Sequence, residues 1–236
     1  MYEIGILPFS LLGFGFLLGI KHAFDADHVV AISTMVPRHK SIKRSSLLGM
    51  FWGVGHTISL LVAGLVILLL KISIPEKVAL SLEFIVGIML VLLGINVFMT
   101  MNKNKIHFHK HRHGKEEHIH FHSHKLAKNH AHEHTTLYKS LLIGAIHGLA
   151  GSAAITLLVL TTVKSFWIGM IYMLTFGIGS ILGMMLISSI ISLPFIIISI
   201  KFKRIRNIMN ISAGLISTAI GLIILYDIGF VEGLLK

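Results

Sequence analysis

The chain has 236 residues, of which 54% are hydrophobic and only 13% charged, where a soluble domain carries roughly 25% charged residues. One soluble core cannot hide that excess, so the bilayer is the expected solvent, and a soluble enzyme, a nucleic-acid reader and a disordered tail are excluded. The net charge of +11 is explained below by topology, and the absence of cysteine removes disulfides, thiolate metal sites and thiol redox chemistry.

Six stretches are long enough for a helix to cross about 30 Å of hydrocarbon, which takes ~20 residues. In chain order they are 4–36, 45–70, 78–101, 137–163, 166–200 and 208–228. The first lacks a cationic leader and an A-x-A cleavage site, so it reads as a mature membrane helix. It and the fifth are too long for one straight span. Lys21 to His28 interrupts the first and Pro194 sits late in the fifth, so tilt, a kink or a break is expected in each.

Charge sets the orientation. Of the 21 Lys and Arg, sixteen fall in the connections between stretches one and two, three and four, and five and six; four fall on the other side. The positive-inside rule places the sixteen in the cytoplasm and both termini outside a multi-pass protein of the cell membrane.

The apolar halves on either side of the polar connection look related. Gly19-Ile20-Lys21-His22 pairs with Gly144-Ala145-Ile146-His147, Gly53-Val54-Gly55 with Gly177-Ile178-Gly179, and Gly87/Gly94 with Gly214/Gly221, at offsets of 125, 124 and 127. A three-helix unit repeated once must insert its second copy upside down, which is a transporter architecture. The expected fold class is an all-α integral membrane protein with six transmembrane helices as 3+3 inverted repeats. Residues 1–102 form the first repeat, 103–137 a His-rich cytoplasmic loop and 138–236 the second repeat.

The chemistry concentrates in Lys21-His22-Ala23-Phe24-Asp25-Ala26-Asp27-His28. Carboxylates inside a spanning segment cost roughly 2.5–3.5 kcal/mol each on insertion scales. With two imidazoles they make a ligand set for a divalent transition metal. At 100° per residue a straight helix presents His22, Asp25 and His28 on one arc and turns Asp27 away, so Asp27 joins only if the helix unwinds. His56, after Gly53-Val54-Gly55, and His147, in the place of His22 in the second repeat, are candidate further ligands. Ala150 and Ser152 stand where Asp25 and Asp27 do, so the charge comes from the first repeat. Ser180, placed like His56, reads as packing, and Glu83 and Asp227 as solvated residues near helix ends. The connection holds a second, weaker set: His107, His109, His111, His113, His118, His120, His122, His124, His130, His132 and His134. That composition binds metal loosely and exchanges it.

His22 to His28 resembles the H-A-x-D-A-D-H form of the H-x(4)-D-H signature of the nickel–cobalt transporter family, and Gly55-His56-Thr57 is similar to its second motif, G-H-[ST]. The resemblance covers about the first 60 residues closely. It implies that His22, Asp25, Asp27 and His28 serve Ni²⁺ or Co²⁺ uptake, with His56 contributing. The signature lies on the first helix here instead of the second, and the family's later acidic motifs are absent, which resembles a six-helix branch labelled in part as urease accessory permeases. Efflux members carry a His-rich loop but typically read H-A-x-E-P-G-H in the first motif.

The expected function is a permease moving Ni²⁺ or Co²⁺ through a midplane site of His22, Asp25, Asp27, His28, His56 and His147, inward, with efflux fed by the His tract as the alternative. A membrane metalloenzyme is the rival from another class, and no H-E-x-x-H pairing supports it. No resident cofactor is expected. The expected partners are the metal ion, the bilayer and, through the resemblance, urease or hydrogenase maturation proteins, with no nucleic acid.

Overall fold

The computed structural model describes residues 7–36, 41–70, 74–103, 109–113, 116–120, 131–150 and 165–235. They form seven α-helices: α1 Leu7–His22, α2 Ala26–Met35, α3 Ile42–Leu70, α4 Glu76–Lys103, α5 Ala131–Leu149, α6 Phe166–Lys201 and α7 Lys203–Tyr226. Four of these, α3, α4, α6 and α7, are long and apolar enough to cross a membrane. The protein is a helical membrane protein.

The first stretch divides into two helices where the acidic motif begins. Phe24 and Asp25 close onto the Lys21 and His22 carbonyls (2.9 and 3.0 Å), and Asp25 then takes an extended conformation ahead of α2. The fifth stretch stays one 36-residue helix with Pro194 inside it, so no break occurs there. The basic residues between the fifth and sixth stretches lie on helix ends, because only Phe202 separates α6 from α7. The fourth stretch starts earlier than its apolar run, at Ala131, and its remainder (151–164, including Ser152) lies outside the described residues.

The polar connection is not all loop. His109–His113 (β1) and Glu116–His120 (β2) pair as an antiparallel hairpin in the register His109↔His120 and His111↔His118. His132 and His134 fall in the first turn of α5, whereas His107, His122, His124 and His130 lie outside the described residues.

The bundle is apolar outside and holds its polar side chains inside. Val62, Leu69, Leu92, Leu186, Leu215 and Leu222 are exposed, while His28, His56, His147, Ser140, Ser180 and Ser217 are buried. That distribution suits lipid as the solvent, where small residues and interhelical hydrogen bonds replace hydrophobic collapse. Ser140 on α5 donates to the Leu48 carbonyl of α3 (2.7 Å), Thr57 on α3 to Gly177 of α6 (3.2 Å) and Ser217 on α7 to Leu90 of α4 (2.8 Å).

The helix contacts come in related pairs. Gly19 of α1 abuts the Phe176 carbonyl of α6, and Gly144 of α5 abuts the Trp52 carbonyl of α3. Gly144 follows Gly19 by 125 residues and Phe176 follows Trp52 by 124. Likewise Gly94 meets Gly214 and Thr218, and Gly221 meets Gly87 and Val91, joining α4 to α7 at both places. A β-carbon at Gly19 or Gly144 would collide with backbone, so the close approach depends on glycine.

Candidate metal centre

The break after α1 decides which side chains meet. His22 ends α1, and α2 restarts at Ala26 with Asp27 and His28 in its first turn. His56 comes from the middle of α3 and His147 from the last turn of α5. α5 ends as α1 does: the Ala150 amide closes onto the His147 carbonyl (3.1 Å), as Asp25 closes onto His22 (3.0 Å). Each half thus ends a helix just beyond its site histidine.

All six candidate residues fall in this one region, five of them arranged as two triads that share His28, with Asp25 bonded to His22 outside them. The ligating atoms of His22, His28 and His56 lie within 4.8 Å of one another, and so do those of Asp27, His28 and His147. His28 is completely buried, stacks on His147 with ring centroids 4.1 Å apart, and leaves both ring nitrogens without a hydrogen-bond partner. A buried polar group left in that state is costly in a resting protein. A ligand for a cation has that character before the cation arrives.

The hydrogen bonds fix proton positions. A carboxylate only accepts, so His22 donates from Nδ1 to Asp25 Oδ2 (2.7 Å), and neutral His22 keeps its lone pair on Nε2. His22 Nε2 lies 3.2 Å from His56 Nε2. Two imidazoles bound to one ion at about 2.1 Å each, at near-tetrahedral to right angles, have nitrogens roughly 3 to 3.4 Å apart. That spacing is also a hydrogen bond, in which His56 Nε2–H donates to the His22 lone pair, so the two nitrogens converge on one point. Across the site, His147 Nε2 donates to Asp27 Oδ2 (2.8 Å), while Asp27 Oδ1 accepts the His28 backbone amide (2.9 Å).

The two carboxylates therefore differ in place. The straight-helix arc groups His22, Asp25 and His28 and sends Asp27 away. In the structure Asp27 is the carboxylate turned toward His28 and His147, and Asp25, half exposed, holds the outer nitrogen of His22. The extended Asp25 backbone between α1 and α2 resets the rotation.

Two aromatic residues wall the centre that sequence reasoning did not single out. The Phe176 ring lies 5.6 Å from His22, and Trp52, fully buried, lies 5.9 Å from His147. Their signal was present: each stands just before a repeated Gly-x-Gly, Gly53-Val54-Gly55 or Gly177-Ile178-Gly179. Ser180 is buried on α6, one turn beyond Phe176. Ala150, in the place of Asp25, lines the cavity, and Ser152, in the place of Asp27, lies outside the described residues. His22, Asp25, Asp27 and His147 line a cavity of about 360 Å³; His28 and His56 are not among its lining residues.

Long apolar helices enclosing imidazoles and carboxylates around a broken helix define a membrane transport protein. The model of the NicO family, described as high-affinity nickel-transport protein, matches residues 9–230, and the chain belongs to that family. It is a transporter and not an enzyme. It is also 44% identical over 243 residues to the urease accessory protein UreH of Bacillus sp. (strain TB-90), covering 96% of this chain and 95% of that relative. No solved structure matches the chain significantly.

Proposed function

We propose that the protein carries Ni²⁺, and by the same ligand chemistry Co²⁺, into the cytoplasm through the centre formed by His22, Asp25, Asp27, His28, His56 and His147. The observation that carries this reading is His28: buried, without a hydrogen-bond partner, and shared by both triads. Imidazole nitrogen suits both metals, and their affinities are too close for these ligands to separate them. An ion of charge 2+ together with ionised Asp25 and Asp27 sums to zero, so the loaded centre carries no net charge within the apolar helices.

The architecture we infer is six spans as 3+3 inverted repeats, with 1–102 and 138–236 as the repeats and 103–137 as the connection between them. The paired contacts of Gly19 with Phe176 and Gly144 with Trp52 support it, as do the matching helix ends at His22 and His147. Rocking of one repeat against the other would expose the centre to each side in turn. The charge asymmetry supports a cell-membrane protein with the His-rich connection inside and both termini outside.

Direction follows from energetics. A membrane potential contributes ~2.3 kcal/mol per charge per 100 mV, about twice that for a divalent ion, and it drives cations inward without further coupling. The name of the urease accessory relative supports nickel delivery toward urease maturation, and hydrogenase maturation is the parallel destination. The His tract favours a second reading, efflux with the tract as a cytoplasmic collector. Cells expressing the wild-type chain and its Asp27→Ala variant separate the two. Higher nickel accumulation with the wild type supports uptake, lower accumulation supports efflux, and equal accumulation sinks both.

A further inference from the structure

Among the described residues, the cavity beside the metal centre is lined by five carboxylates, Asp25, Asp27, Glu83, Asp227 and Glu232, and by one ammonium, Lys21. The chain has ten Asp and Glu in all, so half of its acids face one space. Only Asp25 and Asp27 belong to the centre. Glu83 lies two turns inside α4, within the part apolar enough to cross a membrane, where an ionisable side chain marks an ion pathway.

Asp227 and Glu232 reach the cavity through a local change in helix type. After Tyr226 the chain leaves α7 as a π turn, Asp227–Val231, and the Glu232 amide bonds to the Asp227 carbonyl at 2.9 Å. Residues five apart on an α-helix stand about 140° apart around the axis. An i→i+5 turn stacks them on one side, and such turns recur at functional sites. A second observation points to a cation at the inner end. His147, only 2% exposed, lines the same cavity, and its Nδ1 has no hydrogen-bond partner.

We propose that Glu83, Asp227 and Glu232 form an antechamber that captures a hydrated divalent cation and passes it to the His/Asp centre. Carboxylate oxygens suit a cation that still holds water, and imidazole nitrogens suit one that has shed it. A cleft lined by one sign of charge raises the local concentration of its counter-ion. The antechamber rests on the transport reading above, and under the proposed topology it opens on the outer side, where α4 begins and α7 ends.

The test is binding of Mn²⁺, an oxygen-seeking divalent probe, to the purified full-length protein, followed by electron paramagnetic resonance. The triple variant Glu83→Gln/Asp227→Asn/Glu232→Gln is expected to weaken Mn²⁺ binding on the order of tenfold or more, whereas Glu76→Gln, at an exposed carboxylate outside the cavity, leaves it in place. Glu83→Gln alone, the milder change if the triple variant does not fold, is expected to weaken it severalfold. In the transport assay the same variants raise the KM for Ni²⁺ at low ionic strength, and the difference shrinks as salt is added. Unchanged Mn²⁺ affinity in a folded variant overturns the antechamber and leaves the transport reading standing. Mn²⁺ binding lost in the variant of a protein that moves no nickel would leave an acidic site and overturn its role in transport.

Discussion

Asp27 and His147 are 120 residues apart in sequence and 2.8 Å apart in space, carboxylate Oδ2 to imidazole Nε2. The bond ties the broken first helix to the end of α5, so an ion bound by either residue is felt by both halves of the chain. Asp27→Ala leaves His147 and His28 in place but removes the charge and the tie between them. The tight Ni²⁺ site of the purified variant, measured by calorimetry, is expected to be lost, leaving only the weak binding of the His-rich connection, with the fold intact by circular dichroism.

Asp25 acts one bond further out. It fixes His22 with its lone pair on Nε2, the nitrogen facing His56. Residues that orient a metal-ligating histidine typically account for a 10–100-fold change in affinity. Asp25→Asn, which can still accept the bond from Nδ1, is expected to weaken Ni²⁺ binding toward the lower end of that range. Asp25→Ala is expected to lie toward the upper end. Equal losses in the two would contradict a positioning role.

Metal and protons compete for the same nitrogens. Only neutral imidazole and ionised carboxylate bind the ion, so Ni²⁺ affinity is expected to fall as pH drops, with proton release on binding where the imidazoles are protonated. Calorimetry in buffers of different ionisation enthalpy at pH 7.5 and 5.5 measures both quantities. An affinity that rises on acidification would rule out imidazole ligation.

Gly144 tests the helix contacts independently of the metal. A β-carbon there meets the Trp52 carbonyl and backbone of α3. Overpacking of this kind typically costs about 1–3 kcal/mol, and Gly144→Val is expected to lower the melting temperature in detergent and to shift His147. Gly13, with open space where its β-carbon would go, is the control: Gly13→Ala, which favours the helix, does not lower the melting temperature.

Much of this arrangement was legible in the sequence because lipid exposure imposes long apolar runs. α3, α4, α6 and α7 each follow such a run, and the cost of two carboxylates placed a break near Lys21–His28. His56 and His147 were legible through the repeated glycines that bring their helices close. The orientation of Asp27 was not, because periodicity holds only while a helix is continuous and the extended Asp25 resets it. Trp52 and Phe176 were marked only by their place just before the repeated Gly-x-Gly, a mark that says nothing of a metal centre until the partner histidine is located. The π turn at Asp227 was hidden, because a changed hydrogen-bond pattern leaves composition untouched.

The central claim is that ions cross at the His/Asp centre, with the His-rich connection dispensable for the crossing. The direct measurement is ⁶³Ni²⁺ flux into liposomes holding the wild-type chain, Asp27→Ala, or a chain lacking residues 104–134. Flux that disappears in Asp27→Ala and survives the deletion is the predicted result. No flux from the wild type in either orientation, with metal still held by the His tract, would contradict it.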